Sequence, residues 1–116
     1  MKKAIRALCL LIVSLLCLVS CSKERSSSPQ RVLYENITAE EAKKIMDTQS
    51  DYIILDVRTQ EEYDDKHIPG AILLPDYEVE QRAEEILTEK DQLILVYCRS
   101  GRRSKLASEI LLDLGY

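Results

Sequence analysis

The sequence predicts an α/β fold: a largely parallel sheet with helices on both faces. Three observations lead there. Two short apolar runs, Tyr-Ile-Ile-Leu-Asp-Val at 52–57 and Leu-Ile-Leu-Val-Tyr at 93–97, have the length and composition of buried strands. Segments with apolar residues at helical spacing stand between and around them. Strand-like and helix-like segments therefore alternate, the order that builds a parallel sheet through crossover helices.

The first 20 residues stand outside that alternation. Lys2, Lys3 and Arg6 form a basic start, and residues 7–19 are apolar apart from Ser14. This is the layout of a secretory signal, and the apolar block is shorter than the roughly 20 residues a spanning helix needs. Leu18-Val19-Ser20-Cys21 resembles the bacterial lipobox, in which the cysteine is lipidated and becomes the first residue. The alternative is ordinary secretion with an incidental cysteine. Residues 21–31 are polar, without apolar period, and read as a tether. Residues 32–116 form the folded domain, near the size at which one core just suffices. The expected location is extracytoplasmic, with Cys21 anchoring the chain to a bacterial membrane.

Cysteine usage and charge narrow the function classes. Of the four cysteines, Cys9 and Cys17 leave with the signal and Cys21 takes the lipid, so Cys98 remains as the free thiol. An even set in an exported chain would suggest disulfides. A single thiol in an oxidising compartment suggests use, the alternative being a packed, inert cysteine. Loss of residues 1–20 leaves 13 basic against 20 acidic residues, a net charge of −7. A nucleic-acid surface would need the opposite sign, so no nucleic-acid partner is expected.

Within the domain, residues 31–34 form a short candidate strand. Thr38 followed by Glu41 has capping-box spacing, and Ala42, Ile45 and Met46 continue as one helical face. The strand at 52–57 leads to a second box, Thr59 with Glu62, and a short helix. His67-Ile68-Pro69-Gly70 is a turn, followed by a short strand at 71–74 that Pro75 stops. Residues 78–88 read as a helix with Val79, Ala83, Ile86 and Leu87 on its apolar side. The strand at 93–97 precedes a helix at 104–114, faced by Leu106, Ala107, Ile110, Leu111 and Leu114. Gly115 is its stop signal.

Ligand sites in such sheets lie beyond the carboxyl ends of the strands, where Asp56, Arg58 and Cys98 fall. Three features there favour a thiolate at Cys98. Arg99, Arg102 and Arg103 bring positive charge, the following helix points its N-terminus at the loop, and amides around Gly101 can converge on an anion. The alternative is a packed cysteine beside solvated arginines.

Three motifs in order carry a family resemblance. Asp56-Val57-Arg58-Thr59-Gln60-Glu61-Glu62-Tyr63, His67-Ile68-Pro69-Gly70-Ala71 and Cys98-Arg99-Ser100-Gly101-Arg102-Arg103-Ser104 closely resemble the single-domain rhodanese-like (thiosulfate sulfurtransferase-like) proteins. The resemblance implies that Cys98 is a nucleophile taking sulfur from a small anionic donor such as thiosulfate. A thiol or cyanide-like acceptor then removes the sulfur. It implies that Arg99, Ser100, Gly101, Arg102 and Arg103 bind the substrate, while Asp56, Arg58 and His67 support the fold; Tyr63 packs. No cofactor and no metal are implied. Related phosphatases carry an arginine six positions after the cysteine, where this chain has Ser104, so the loop suits sulfur rather than phosphate. The competing expectation is a noncatalytic rhodanese-like module that binds a partner or senses oxidants. The resemblance also implies a further strand beside the cysteine strand and a terminal helix after Tyr116. Without them, open strand edges, lower stability and an inactive remnant are the expectations.

Overall fold

The computed structural model describes residues 34–116. The signal at 1–20, Cys9, Cys17, the lipidation site Cys21, the tether at 21–31 and most of the candidate strand at 31–34 lie outside the described residues. Tyr34, which is described, is not in a strand.

Helix α1 is Ala39–Thr48. It starts where a threonine can satisfy an orphan backbone donor: Thr38 Oγ1 accepts from the Glu41 amide at 3.2 Å, and Glu41 returns a carboxylate to the Thr38 amide at 2.7 Å. Strand β1, Tyr52–Asp56, follows and is the central strand. It pairs in parallel with β2, Ile72–Leu73, and with β3, Leu93–Tyr97, giving the order β2-β1-β3. Helix α2, Gln60–Asp65, links β1 to β2 and carries the second capping box, on Thr59 and Glu62.

The predicted strand at 71–74 is only two residues long, and the helix predicted at 78–88 is Val79–Ile86, α3. Pro75 and a 3-10 turn, Asp76–Glu78, deliver the chain into it. At its end Leu87 leaves helical geometry, and its side chain is buried in the core.

Helix α4 is Arg102–Asp113, starting two residues before the predicted start. Its N-cap is Gly101, which offers no side-chain signal. Its end is as expected: Gly115 has φ 92°, its amide reaches Leu112 O at 3.1 Å, and the Tyr116 amide reaches Leu111 O at 3.0 Å. These two bonds are a Schellman closure, which satisfies carbonyls the helix leaves unpaired. Tyr116 then donates its hydroxyl to Leu87 O at 2.7 Å, tying the end of α4 to the end of α3.

The buried core lies on one side of the sheet, between β1 and β2 and helices α3 and α4. Leu55, Val57, Leu74, Val79, Ala83, Leu87, Ala107 and Leu111 form it. Because side chains alternate along a strand, Ile54 and Asp56 point to the opposite side. There the segment from Tyr34 through α1 stands over a groove of about 830 Å³, whose walls include Ile54, Leu95, Tyr97 and Cys98.

Two expectations about burial change. The run at 93–97 was expected to be a buried strand, yet among the described residues β3 pairs only with β1, and Leu93 is 40% exposed. Leu106, expected on the apolar face of α4, is 47% exposed, whereas Ala107 and Leu111 carry the contact with the core.

Candidate active site at Cys98

Sheet geometry sets the site. β1 and β3 end side by side, with Asp56 in register with Tyr97, so the residues after each strand emerge at the same rim. Ladder bonds continue past both ends, from the Val57 amide to Tyr97 O at 3.1 Å and from the Leu74 amide to Asp56 O at 2.9 Å. The ladder thus runs up to Tyr97, the residue before Cys98.

Beyond β3 the chain turns within four residues into α4. Gly101 makes the turn with φ 90°, a conformation that costs a side-chain-bearing residue roughly 1–2 kcal/mol. This places the Gly101 amide 3.1 Å and the Ser104 amide 3.3 Å from Cys98 Sγ. Ser104 Oγ stands 3.4 Å from the same sulfur. The sulfur therefore rests in a ring of donors at the N-terminus of a twelve-residue helix. Burial pushes the thiol up, but hydrogen bonds from the Ser104 hydroxyl and the amides of Ser104, Ser100 and Gly101 outweigh it and hold Cys98 below an ordinary cysteine. Ser104 Oγ also reaches Gly101 O at 3.1 Å. With a neutral thiol, Cys98 donates to Ser104 and the hydroxyl proton points at Gly101 O. On ionisation that proton can swing to the sulfur.

The three arginines separate. Arg99 is exposed beside Cys98, bordering the grooves on both sides of it, and Arg102 is exposed on the first turn of α4. Among the described residues neither has an ion-pair partner. Arg103, expected to face the substrate, is engaged elsewhere. Its two terminal nitrogens lie 2.7 and 2.9 Å from the carboxylate of Glu62 on α2. That guanidinium, with help from the Thr59 cap, holds the Glu62 carboxyl down at about 2. Ser100 and Gly101 sit at the loop as expected.

Asp56 and Arg58 form the scaffold beneath. Asp56 is fully buried. It accepts from Arg58 Nε at 2.9 Å, Arg58 Nη2 at 2.7 Å, the Arg58 amide at 3.0 Å and the Tyr97 hydroxyl at 2.5 Å. Burial raises the Asp56 carboxyl, but these donors outweigh it and keep it below its ordinary value. Arg58 also donates to Lys66 O at 2.7 Å, and the Ile68 amide donates to Tyr97 Oη at 3.1 Å. One buried carboxylate thus fastens β1, β3 and the turn after α2. His67 braces that turn: its Nδ1 is 2.7 Å from Tyr63 O, and its ring stacks on the Tyr63 ring at 3.7 Å. A carbonyl only accepts, so Nδ1 carries the proton. Tyr63 in turn donates to Ala71 O at 2.7 Å.

Ser104, Glu62 and Tyr97 are the residues that sequence reasoning missed as site members. Ser104 was noted as the end of the cysteine-loop motif, the start of the predicted helix and the position lacking an arginine, with no contact to Cys98 expected. Its distance from Gly101, three residues into a helix starting at the loop, was the available signal.

The rhodanese-like domain family profile matches residues 38–116. The chain is 40% identical over 95 residues to a Bacillus subtilis protein named putative sulfur carrier protein YrkF, covering 82% of this chain and 47% of that one. It is 42% identical over 62 residues to the Escherichia coli thiosulfate sulfurtransferase PspE, covering 53% of this chain and 60% of that one. The chain thus spans about half to three fifths of the length of these two relatives. Among solved structures, an E. coli rhodanese with anions superposes with a TM-score of 0.53 at 40% identity, covering 56% of this chain and 76% of the other.

Proposed function

Because the chain belongs to the rhodanese-like domain family, we propose that it is a sulfurtransferase working through a persulfide on Cys98. The observation that carries this is the ring around Cys98 Sγ, in which the amides of Gly101 and Ser104 donate to the sulfur and the Ser104 hydroxyl, which accepts from the neutral thiol, can donate to the thiolate. Such a ring favours thiolate over thiol, and thiolate is the attacking species.

In the first half-reaction the Cys98 thiolate attacks the outer sulfur of a thiosulfate-like donor. A new sulfur–sulfur bond forms, the donor's own sulfur–sulfur bond breaks with its electron pair, and sulfite leaves. The terminal sulfur of the persulfide keeps one negative charge, and the converging amides suit that charge as they suit the thiolate. In the second, cyanide or a thiolate attacks the terminal sulfur, the Cys98 thiolate is the leaving group, and thiocyanate or a new persulfide departs. No net oxidation or proton transfer is required. Arg99, which borders both grooves at Cys98, attracts the anionic donor, with Arg102, exposed on the first turn of α4, adding to the positive field. Asp56, Arg58 and His67 hold the rim in place.

Thiocyanate formation from thiosulfate and cyanide, compared between the natural chain and Cys98→Ser, tests the assignment. The serine variant is expected to fall to the uncatalysed rate; equal rates would reject Cys98. A sulfur adduct on Cys98 that forms but is not passed on would instead identify a sulfur-binding or redox-sensing module. Membrane attachment through Cys21 belongs to the same proposal and is supported by the basic start, apolar block and lipobox-like Leu18-Val19-Ser20-Cys21. Cys21→Ala is expected to move the protein from the membrane fraction to the soluble one.

A further inference from the structure

Glu62 serves two structures at once. As the third residue of α2 it closes the capping box, accepting the Thr59 amide at 3.0 Å and the Thr59 hydroxyl at 3.1 Å. A capping box needs nothing more from its glutamate. The same carboxylate also takes both terminal nitrogens of Arg103, 41 positions further along the chain. Arg103 immediately precedes Ser104, whose amide and hydroxyl touch Cys98 Sγ. Glu62 is itself in the wall of a groove of about 630 Å³ that Cys98, Arg99, Lys66 and His67 also border.

We propose that Glu62 is a positioning and specificity-determining residue: it fixes the first turn of α4 against α2 through Arg103 and cancels one of the loop's three arginine charges. Of the loop's three arginines, Arg99 and Arg102 then keep their charges uncancelled. The site is tuned toward donors of single negative charge, such as thiosulfonates or persulfides, relative to a dianion such as thiosulfate. The donor preference rests on the sulfurtransferase assignment. The effect on Cys98 does not.

Other ionisable groups border the two grooves that meet at Cys98. Asp65, Lys66 and His67 lie at the end of α2, Arg58 follows β1 with its charge committed to Asp56, Glu35 precedes α1, and Lys105 lies on α4, while Asp76 acts on Arg103 itself. Glu62→Gln and Arg103→Gln leave all of these in place, so paired substitutions isolate the one ion pair.

The test uses the full chain. Iodoacetamide modification of Cys98 is followed against pH at low salt and quantified on the Cys98 peptide by mass spectrometry. Glu62→Gln is expected to lower the midpoint by about half a pH unit, because a negative charge is removed and a positive one released. Arg103→Gln is expected to raise it by a similar amount, because the Glu62 charge is uncovered. With cyanide as acceptor, Glu62→Gln is expected to lower the KM for thiosulfate about threefold relative to that for methanethiosulfonate. A merely structural glutamate would lower the melting temperature but leave the midpoint and the KM ratio unchanged, and that result would overturn the proposal. Should Glu62→Gln not fold, Arg103→Gln keeps the Thr59 cap, and an unshifted midpoint there is equally decisive. Absence of turnover in the natural chain would reject the sulfurtransferase assignment while the alkylation midpoints still judge Glu62.

Discussion

Replacing Ser104 by alanine removes one hydroxyl from beside Cys98 and leaves the Ser104 backbone amide where it is. The hydroxyl stands 3.4 Å from Sγ and 3.1 Å from Gly101 O. A hydrogen bond to a charged group contributes about 1.5–3 kcal/mol. Here the gain on ionisation is smaller, because the proton must leave Gly101 O to reach the sulfur. Setting about 0.5–1 kcal/mol against that loss leaves a net of about 1 kcal/mol, equivalent to about 0.7 pH unit. The two amide donors, at 3.1 and 3.3 Å, remain. Alkylation of the Cys98 peptide as a function of pH is expected to give a midpoint higher by about that amount, with the plateau rate at high pH little changed. An unchanged or lower midpoint, with the circular dichroism of a folded protein, would refute the role given to the hydroxyl. The amides alone would then account for the thiolate.

Other outcomes follow from the same geometry. Asp56→Ala leaves Arg58 and the Tyr97 hydroxyl without their buried acceptor, and a cost of about 3 kcal/mol is expected in urea unfolding. A change below 1 kcal/mol would show that the network is not structural. Gly101→Ala has open space for its methyl group but must hold φ near 90°, so a loss of about 1–2 kcal/mol is expected with Cys98 reactivity reduced. Equal stability and reactivity would mean that the turn relaxes freely. The Glu62 carboxyl, at about 2 against an ordinary 4.5, is depressed by its partners in the folded state. Its contribution is therefore full above pH 4.5 and is lost as pH falls toward about 2. Thermal melts across that window are expected to fall more steeply for the natural chain than for Glu62→Gln, and parallel curves would contradict this.

What could be read from the residues was mostly what is local. The caps at Thr38 and Thr59 and the stop at Gly115 depend on neighbours three or four positions away, and each forms as its spacing requires. β1 and β3 were visible as apolar runs, yet the run at 93–97 could not reveal that β3 lies at the edge of the described sheet. That depends on which chain segments stand beside it. The start of α4 was misplaced because Gly101 caps through its conformation and carries no side-chain oxygen. The positions of Asp56, Arg58 and Cys98 at one rim were legible because they lie at strand ends, while the supporting role of Asp56 and Arg58 came from the resemblance. The resemblance assigned Arg103 to the donor, and its partner Glu62, 41 residues earlier, was not legible from local spacing. Tyr97 looked like one more strand residue until register brought its hydroxyl onto Asp56.

The central claim is that Cys98 carries the sulfur in transit. Its most direct measurement is the mass of the Cys98 peptide after the protein is mixed with thiosulfate without reductant and then treated with cyanide. The account expects a gain of one sulfur atom on Cys98, with sulfite released in equal amount, and loss of that sulfur to cyanide as thiocyanate. A Cys98 peptide left unmodified by thiosulfate before cyanide is added, or thiocyanate formed at the same rate by Cys98→Ser, would contradict it.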